Sequence, residues 1–169
     1  MAMFRSKFRI FIVCFIWLTG GLSLSAAQNA SNYLEELGDK GRADLYAEGL
    51  NALNSGLSKF EVGDYSAAVA ALSTPAVQMV SSVDLASYFL AESHFHSGSF
   101  EKSAKILRTF KDTYPDSKWR DFAQARFGDV LGKIGQHEEA LTVYRALLSE
   151  RKDYPHPGAL KMSIAHELL

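Results

Sequence analysis

From Arg42 onward, apolar residues recur at intervals of three and four between short polar breaks, and no β-branched alternating run is long enough for a strand. The pattern predicts helix, break, helix, and an all-α fold. The breaks share a grammar. "KFEVGDYSAAVAAL" carries Gly63, Tyr65, Ala68 and Leu72, "FHSGSFEKSAKIL" carries Gly98, Phe100, Ser103 and Leu107, and "GKIGQHEEALTVY" carries Gly135, His137, Ala140 and Tyr144. The glycines stand 35 and 37 positions apart, a period that two helices fill and that marks stacked helical repeats.

Each position has a physical reason. Gly adopts the left-handed conformation that ends a helix, so it suits the tight turn inside a hairpin. The ring two residues later packs back over that turn. A small residue at 68, 103 and 140 lets two helix backbones approach, and the large apolar residue four further lies on the same face one turn along. Such a hairpin hides its apolar side only by stacking on a neighbour.

Helix starts are also marked. Ser81 and Asp84 match a capping box ahead of "LASYFLAESHF". Pro115 breaks the chain, with Asp116 or Ser117 as the next cap, and Pro157 suits the first turn of a further helix, where its missing N–H has no partner to lose. "QNASNYLEELGDKG" predicts either a short helical turn ended by Gly38 and Gly41, with Tyr33, Leu34 and Leu37 as its apolar side, or a partly ordered leader.

These residues resemble the tetratricopeptide repeat, over about residues 42–169. The middle repeat has Ala91, Gly98, Phe100, Ser103, Leu107, Phe110 and Pro115 at the motif positions; the third has Gly128, Gly135, His137, Ala140, Tyr144 and Leu147; the first has Gly56, Gly63, Tyr65, Ala68 and Leu72 and then departs at Pro75. Phe110 and Leu147 replace a small residue of the motif, which predicts looser or wider packing between repeats. The resemblance implies a right-handed superhelix of helix hairpins, an α-solenoid of three pairs plus the first helix of a fourth. It also implies a concave groove lined by each first helix. Carried onto this chain, the groove positions are Leu85, Tyr88, Glu92, Phe95 and His96 in the middle repeat and Phe122, Ala125, Asp129, Gly132 and Lys133 in the third. Their mixture of aromatic and charged side chains suits a protein or peptide ligand; the competing reading is that several pack against the next helix.

The first 27 residues change the picture. Arg5, Lys7 and Arg9 without an acid precede the apolar run "IFIVCFIWL", and the segment ends in small residues with Ser25 and Ala27 placed for cleavage. That is the layout of a secretory signal peptide, and it predicts export to the periplasm, with an uncleaved inner-membrane anchor as the alternative and only transient membrane contact otherwise. The expected organisation is signal peptide 1–27, leader 28–41 and repeat domain 42–169. Cys14, the single cysteine, has Val13 before it and Phe15 after it, which does not fit a lipoprotein. Cleavage leaves no thiol, hence no disulfide framework.

The 169 residues carry 18 basic and 19 acidic side chains. Without the three bases of residues 1–27 the charge is about −4, so nothing offers a footprint for nucleic acid. No cofactor or metal is implied. His94 and His96 are two apart and point to different sides of a helix, whereas a ligand pair wants three or four. The Glu pairs at 35–36 and 138–139 do not face each other and read as solvated or first-turn acids. No serine elbow, phosphate loop or dinucleotide fingerprint occurs.

A narrower resemblance covers residues 85–169. "YPDSKW", "EALTVYRALL" and "YPHPGALKMSIAHELL" are similar to the amino-terminal superhelical region of bacterial soluble lytic murein transglycosylases. That implies the non-catalytic portion of a cell-wall protein that meets peptidoglycan through a catalytic domain absent here. Leu160, Ile164, Ala165 and Leu168 follow helical spacing to the last residue, an unfinished hairpin where a solenoid wants a polar cap, so truncation is expected. The phrase also resembles stand-alone periplasmic repeat proteins, the barrel-assembly lipoprotein and the Tol-Pal division coordinator, which implies a pure interaction module instead.

Overall fold

Gly63, Gly98 and Gly135 have φ of +79°, +76° and +77°, and each closes a helix in the same way. The N–H of the glycine donates to the carbonyl three back, at Phe60, Phe95 and Gly132, and the next N–H donates to the carbonyl five back, at Lys59, His94 and Leu131. This is the Schellman arrangement, which satisfies orphan carbonyls and needs a residue free to be left-handed. Three of these turns make three hairpins.

The computed structural model describes residues 38–152 and 154–168, and says nothing of the side chains of residues 39 and 40. Residues 1–27, where a signal peptide is expected, with Cys14 among them, and most of the leader therefore lie outside the described residues. Two compact units divide the chain, Met1–Leu45 and Tyr46–Leu169. Of the first, the described residues are the opening of helix α1, which runs Gly38–Glu61 and passes through Gly41 without a break. The element order continues α2 (Tyr65–Leu72), a 3-10 turn (Pro75–Met79), α3 (Val83–His96), α4 (Phe100–Thr113), α5 (Arg120–Lys133), α6 (His137–Glu150) and α7 (Pro157–Glu167). No strand occurs among the described residues. The pairs α1/α2, α3/α4 and α5/α6 form an all-α solenoid of helix hairpins.

Ala68, Ser103 and Ala140 are all fully buried. Ser103 stands where the other two repeats use Ala, and its hydroxyl is satisfied by donating to the Ala91 carbonyl at 2.9 Å, across the hairpin. Opposite the crossing, glycine makes room for bulk. A Cβ on Gly56 would meet Leu72 at 2.5 Å, and one on Gly128 would meet the Tyr144 ring at 2.3 Å. Phe110 and Leu147 are buried in the same continuous core as Leu107, Val130, Leu131 and Tyr144. A second cluster, of Leu53, Leu72, Val77, Val80 and Ala86, serves the first hairpin.

Two helix starts differ from the sequence reading. Ser82, rather than Ser81, precedes α3, and no side chain caps that end; Asp84 instead accepts a 2.6 Å hydrogen bond from Ser117, 33 residues away. Ser117 Oγ accepts from the N–H of Trp119, one residue before α5, so neither it nor Asp116 caps the helix itself. Asp84 and Ser117 are drawn into the joint between the second and third hairpins. Pro157 does open α7. On that helix Leu160 is buried and Ile164 packs on the core, while Ala165 is exposed and Leu168 is 62% exposed, so the four spaced apolar residues do not share one buried face.

Candidate functional site

The first helices of consecutive hairpins, α3 and α5, carry the side chains that the groove reading names. Leu85 is half-buried against the first hairpin's core. Tyr88 stacks on Trp119 with ring centroids 5.1 Å apart. Burial, and then the neighbouring Glu92 carboxylate, pushes its phenol well above the ordinary tyrosine range. Phe95 lies edge-on to Phe100, the turn ring of its own hairpin, at 5.6 Å. His96 stacks on Tyr65 at 4.8 Å and meets Phe60 edge-on, so it packs toward the first hairpin while His94 is buried elsewhere. Phe122 is 38% exposed beside Trp119. Ala125 is half-buried against the core, and Lys133 is exposed in the last turn of α5.

Glu92 is only 4% exposed, and a carboxylate so placed needs a partner. Arg126 supplies it from α5: its Nε donates to Glu92 Oε1 at 2.6 Å and a terminal nitrogen donates to Oε2 at 3.0 Å. The same guanidinium donates to Asp129 Oδ2 at 3.0 Å and lies over the Phe95 ring at 4.3 Å. Planar, two-pronged pairing of this kind is what Arg does and Lys cannot. Burial opposes the Arg126 charge, but the hydrogen bonds and charge of Glu92, with Asp129, outweigh it and hold the guanidinium above its usual value.

Asp129 also accepts from the Tyr144 hydroxyl of α6 at 2.7 Å. Burial raises its pKa and Glu92 and Glu167 push the same way, against the pull of the Tyr144 hydrogen bond and of Arg126. Gly132, the remaining groove position, leaves a space that the Glu167 carboxylate of α7 fills, where it meets His137. Of the named residues, Glu92, Phe95 and Asp129 converge with Arg126 and Tyr144 at the joint of the second and third hairpins, while Leu85 and Phe122 form a row in register, one repeat position 37 residues apart.

That row has a third member. Leu50 precedes Leu85 by 35 positions and Phe122 follows it by 37, the same steps that separate the turn glycines. Leu50 is 37% exposed, nearly matching Phe122. Extending the repeat register backward from Leu85 would have found it. Arg126 had no such signal, since a lone arginine on a helix reads as a solvated face. Among the described residues no group of three or more His, Cys, Asp or Glu could hold a metal ion, and no helix is long and apolar enough to cross a membrane.

Residues 53–118 match the tetratricopeptide repeat family, a stretch that takes in most of the first hairpin and all of the second. The match supports a tetratricopeptide-repeat protein, and α5/α6 repeat the same turn and the same buried crossing outside it. No curated protein matches the chain. Tetratricopeptide repeats commonly bind protein or peptide partners, and they suggest a protein–protein interaction scaffold.

Proposed function

We propose that this protein is an exported scaffold that holds a protein or peptide partner on the face formed by its first helices. The observation that carries the reading is the row of Leu50, Leu85 and Phe122. Three consecutive hairpins present a large apolar side chain at one equivalent position, two of them more than a third exposed. A single exposed apolar residue needs no explanation; an aligned set on a repeat scaffold is the geometry of an extended contact. Lys133, exposed farther along α5, supplies polar contact.

A photo-crosslinking residue at 122 tests this in the native cell. The expected result is a protein adduct from position 122 that is lost when Leu50 is changed to Asp, and none from Arg145, which is exposed on α6. Equal labelling at 122 and 145 overturns it. Export rests on the layout of residues 1–27; an extracted protein that begins at Gln28 supports it, and one that retains Met1 in the cytoplasmic fraction refutes it.

Within the envelope, the similarity of residues 85–169 to the helical region of soluble lytic murein transglycosylases favours a cell-wall role. This chain then contributes the helical platform and no cleavage, so purified alone it releases no anhydro-muropeptides from peptidoglycan sacculi. Release would refute the division of labour. A binding partner from the division or outer-membrane assembly machinery at position 122 would favour the stand-alone module instead.

A further inference from the structure

The joint between α3 and α5 is held by one cation shared between two carboxylates. Arg126 reaches across to Glu92 through Nε and one terminal nitrogen, and back along its own helix to Asp129 through the other. Only the first of these ties one hairpin to the next. Asp129 is also where the polar groups of several elements face each other. Glu92 faces it from α3, Arg126 from α5, Tyr144 from α6, Tyr154 from the segment before α7 and Glu167 from α7 itself, while Tyr88 of α3 neighbours Glu92 and Arg126. His96 lies 3.7 Å from Glu92.

We propose that Asp129 is a proton-controlled competitor for the Arg126 clasp: as an anion it draws the guanidinium away from Glu92, and as a neutral acid it leaves Arg126 to bind the neighbouring hairpin alone. Geometry sets up the competition, because both carboxylates bond one guanidinium whose charge is a single unit. Burial favours the neutral form, and against the pull of the Tyr144 hydrogen bond and of Arg126 the crowding by Glu92 and Glu167 adds to it, which leaves Asp129 holding a proton to higher pH than an ordinary aspartate. The sign follows. A folded-state pKa above the unfolded value of 3.8 means a contribution to stability that is complete below 3.8 and is lost as pH rises through the folded value. Mild acid therefore tightens the joint at Asp129, whereas it loosens most carboxylate pairs. The device stands on the fold and does not depend on which partner the first helices hold.

Asp129→Asn tests it on the full chain. The amide keeps an acceptor for Tyr144 but carries no charge. Three results are expected: D129N melts above wild type at pH 7, the difference closes as pH falls below 3.8, and at pH 7 the Arg126 Nε–H exchanges with solvent more slowly in D129N than in wild type. In an E92Q background the sign reverses, because Asp129 is then the one carboxylate left to Arg126, so E92Q/D129N melts below E92Q. A D129N protein no more stable than wild type at pH 7, or one that stabilises equally in both backgrounds, overturns the proposal; the second outcome would make Asp129 a simple buried-charge penalty. Because these readouts are melting and exchange, a missing ligand leaves them unaffected.

Discussion

The second and third hairpins share a backbone frame and fill it differently. In the second, the turn is stapled by rings, Phe95 against Phe100, and in the first by Phe60 against Tyr65 at 5.5 Å. The third has Gly132 and His137 at the equivalent places, and a carboxylate from the next helix, Glu167, occupies the gap. Inside the hairpin the second pairs Ala91 with Leu107, where the third pairs Gly128 with Tyr144, whose hydroxyl reaches Asp129. The Schellman turns are nevertheless the same in hydrogen bonding and within 3° in φ. Main-chain closure sets the repeat, then, and side-chain packing adapts to it: an apolar staple can give way to a polar one provided the glycine stays.

That comparison breaks first at the crossings. Ser103→Leu in the second hairpin and Ala140→Leu in the third each force a large side chain into a fully buried contact and should cost about 1–3 kcal/mol by overpacking. Denaturant unfolding measures both; a midpoint equal to the parent's would mean the helices there are not tightly crossed. Gly128→Ala follows within the same range, about 1–3 kcal/mol, because its Cβ meets a ring packed in the core and not a mobile chain end. Adding Tyr144→Leu recreates the Ala–Leu pairing of the second hairpin and should recover part of that loss. A double mutant worse than the sum of its parts would show that the two hairpins are not interchangeable frames.

How much of this was legible in the sequence follows from how local each cause is. Positive φ is a property of one residue type, so the glycines at 63, 98 and 135 announced the turns, and the small residues at 68, 103 and 140 announced the crossings. The early Pro75 marked the end of the first hairpin, where α2 stops at Leu72 and a 3-10 turn takes over. The joint between hairpins was not legible, because its partners lie more than thirty residues apart. Asp84 looked like half of a capping box and is bonded to Ser117; Glu92 looked like a groove residue and is clasped by Arg126. In each case a tertiary hydrogen bond outcompeted a local reading, and one repeat of sequence contains only half of the pair. Leu50 was missed for a different reason, since the groove register was carried only to the second and third hairpins.

A pH-dependent difference sharpens the comparison next. His94 is buried in α3, where the equivalent residue of α5, 37 positions on, is Leu131. Burial, aided by the positive charge of Lys102, holds the His94 pKa below its ordinary 6.5. The unfolded chain therefore takes up a proton more readily than the folded one. The contribution to stability is present above 6.5 and is lost as pH falls from there through the lower folded value. His94→Leu, which copies the third hairpin, should flatten that part of the melting profile between neutral and mildly acid pH while leaving its Asp129-dependent part, of opposite sign, in place. A variant whose melting temperature still falls as steeply as wild type over that window would place the titrating group elsewhere.

The smallest expected effect separates two glycines of one helix. Gly128 and Gly132 are four residues apart on α5, and a Cβ on either would collide, at 2.3 Å with the Tyr144 ring and at 2.2 Å with Glu167 Oε1. The collisions differ in kind. Tyr144 is locked by its neighbours and its bond to Asp129, whereas Glu167 is reached at the end of a flexible side chain that can swing aside. Gly132 is the next-to-last residue of α5, so replacing it gains at most the roughly 0.5–1 kcal/mol of a mid-helix glycine, and against it stands the loss of whatever the His137–Glu167 hydrogen bond contributes, typically about 1 kcal/mol. Gly132→Ala should therefore lie within about 0.5 kcal/mol of the parent, and should remain so when Glu167→Gln is added. A cost for Gly132→Ala as large as for Gly128→Ala would mean that the carboxylate is held as firmly as the ring, and that the third turn's polar staple is as rigid as the aromatic one it replaces.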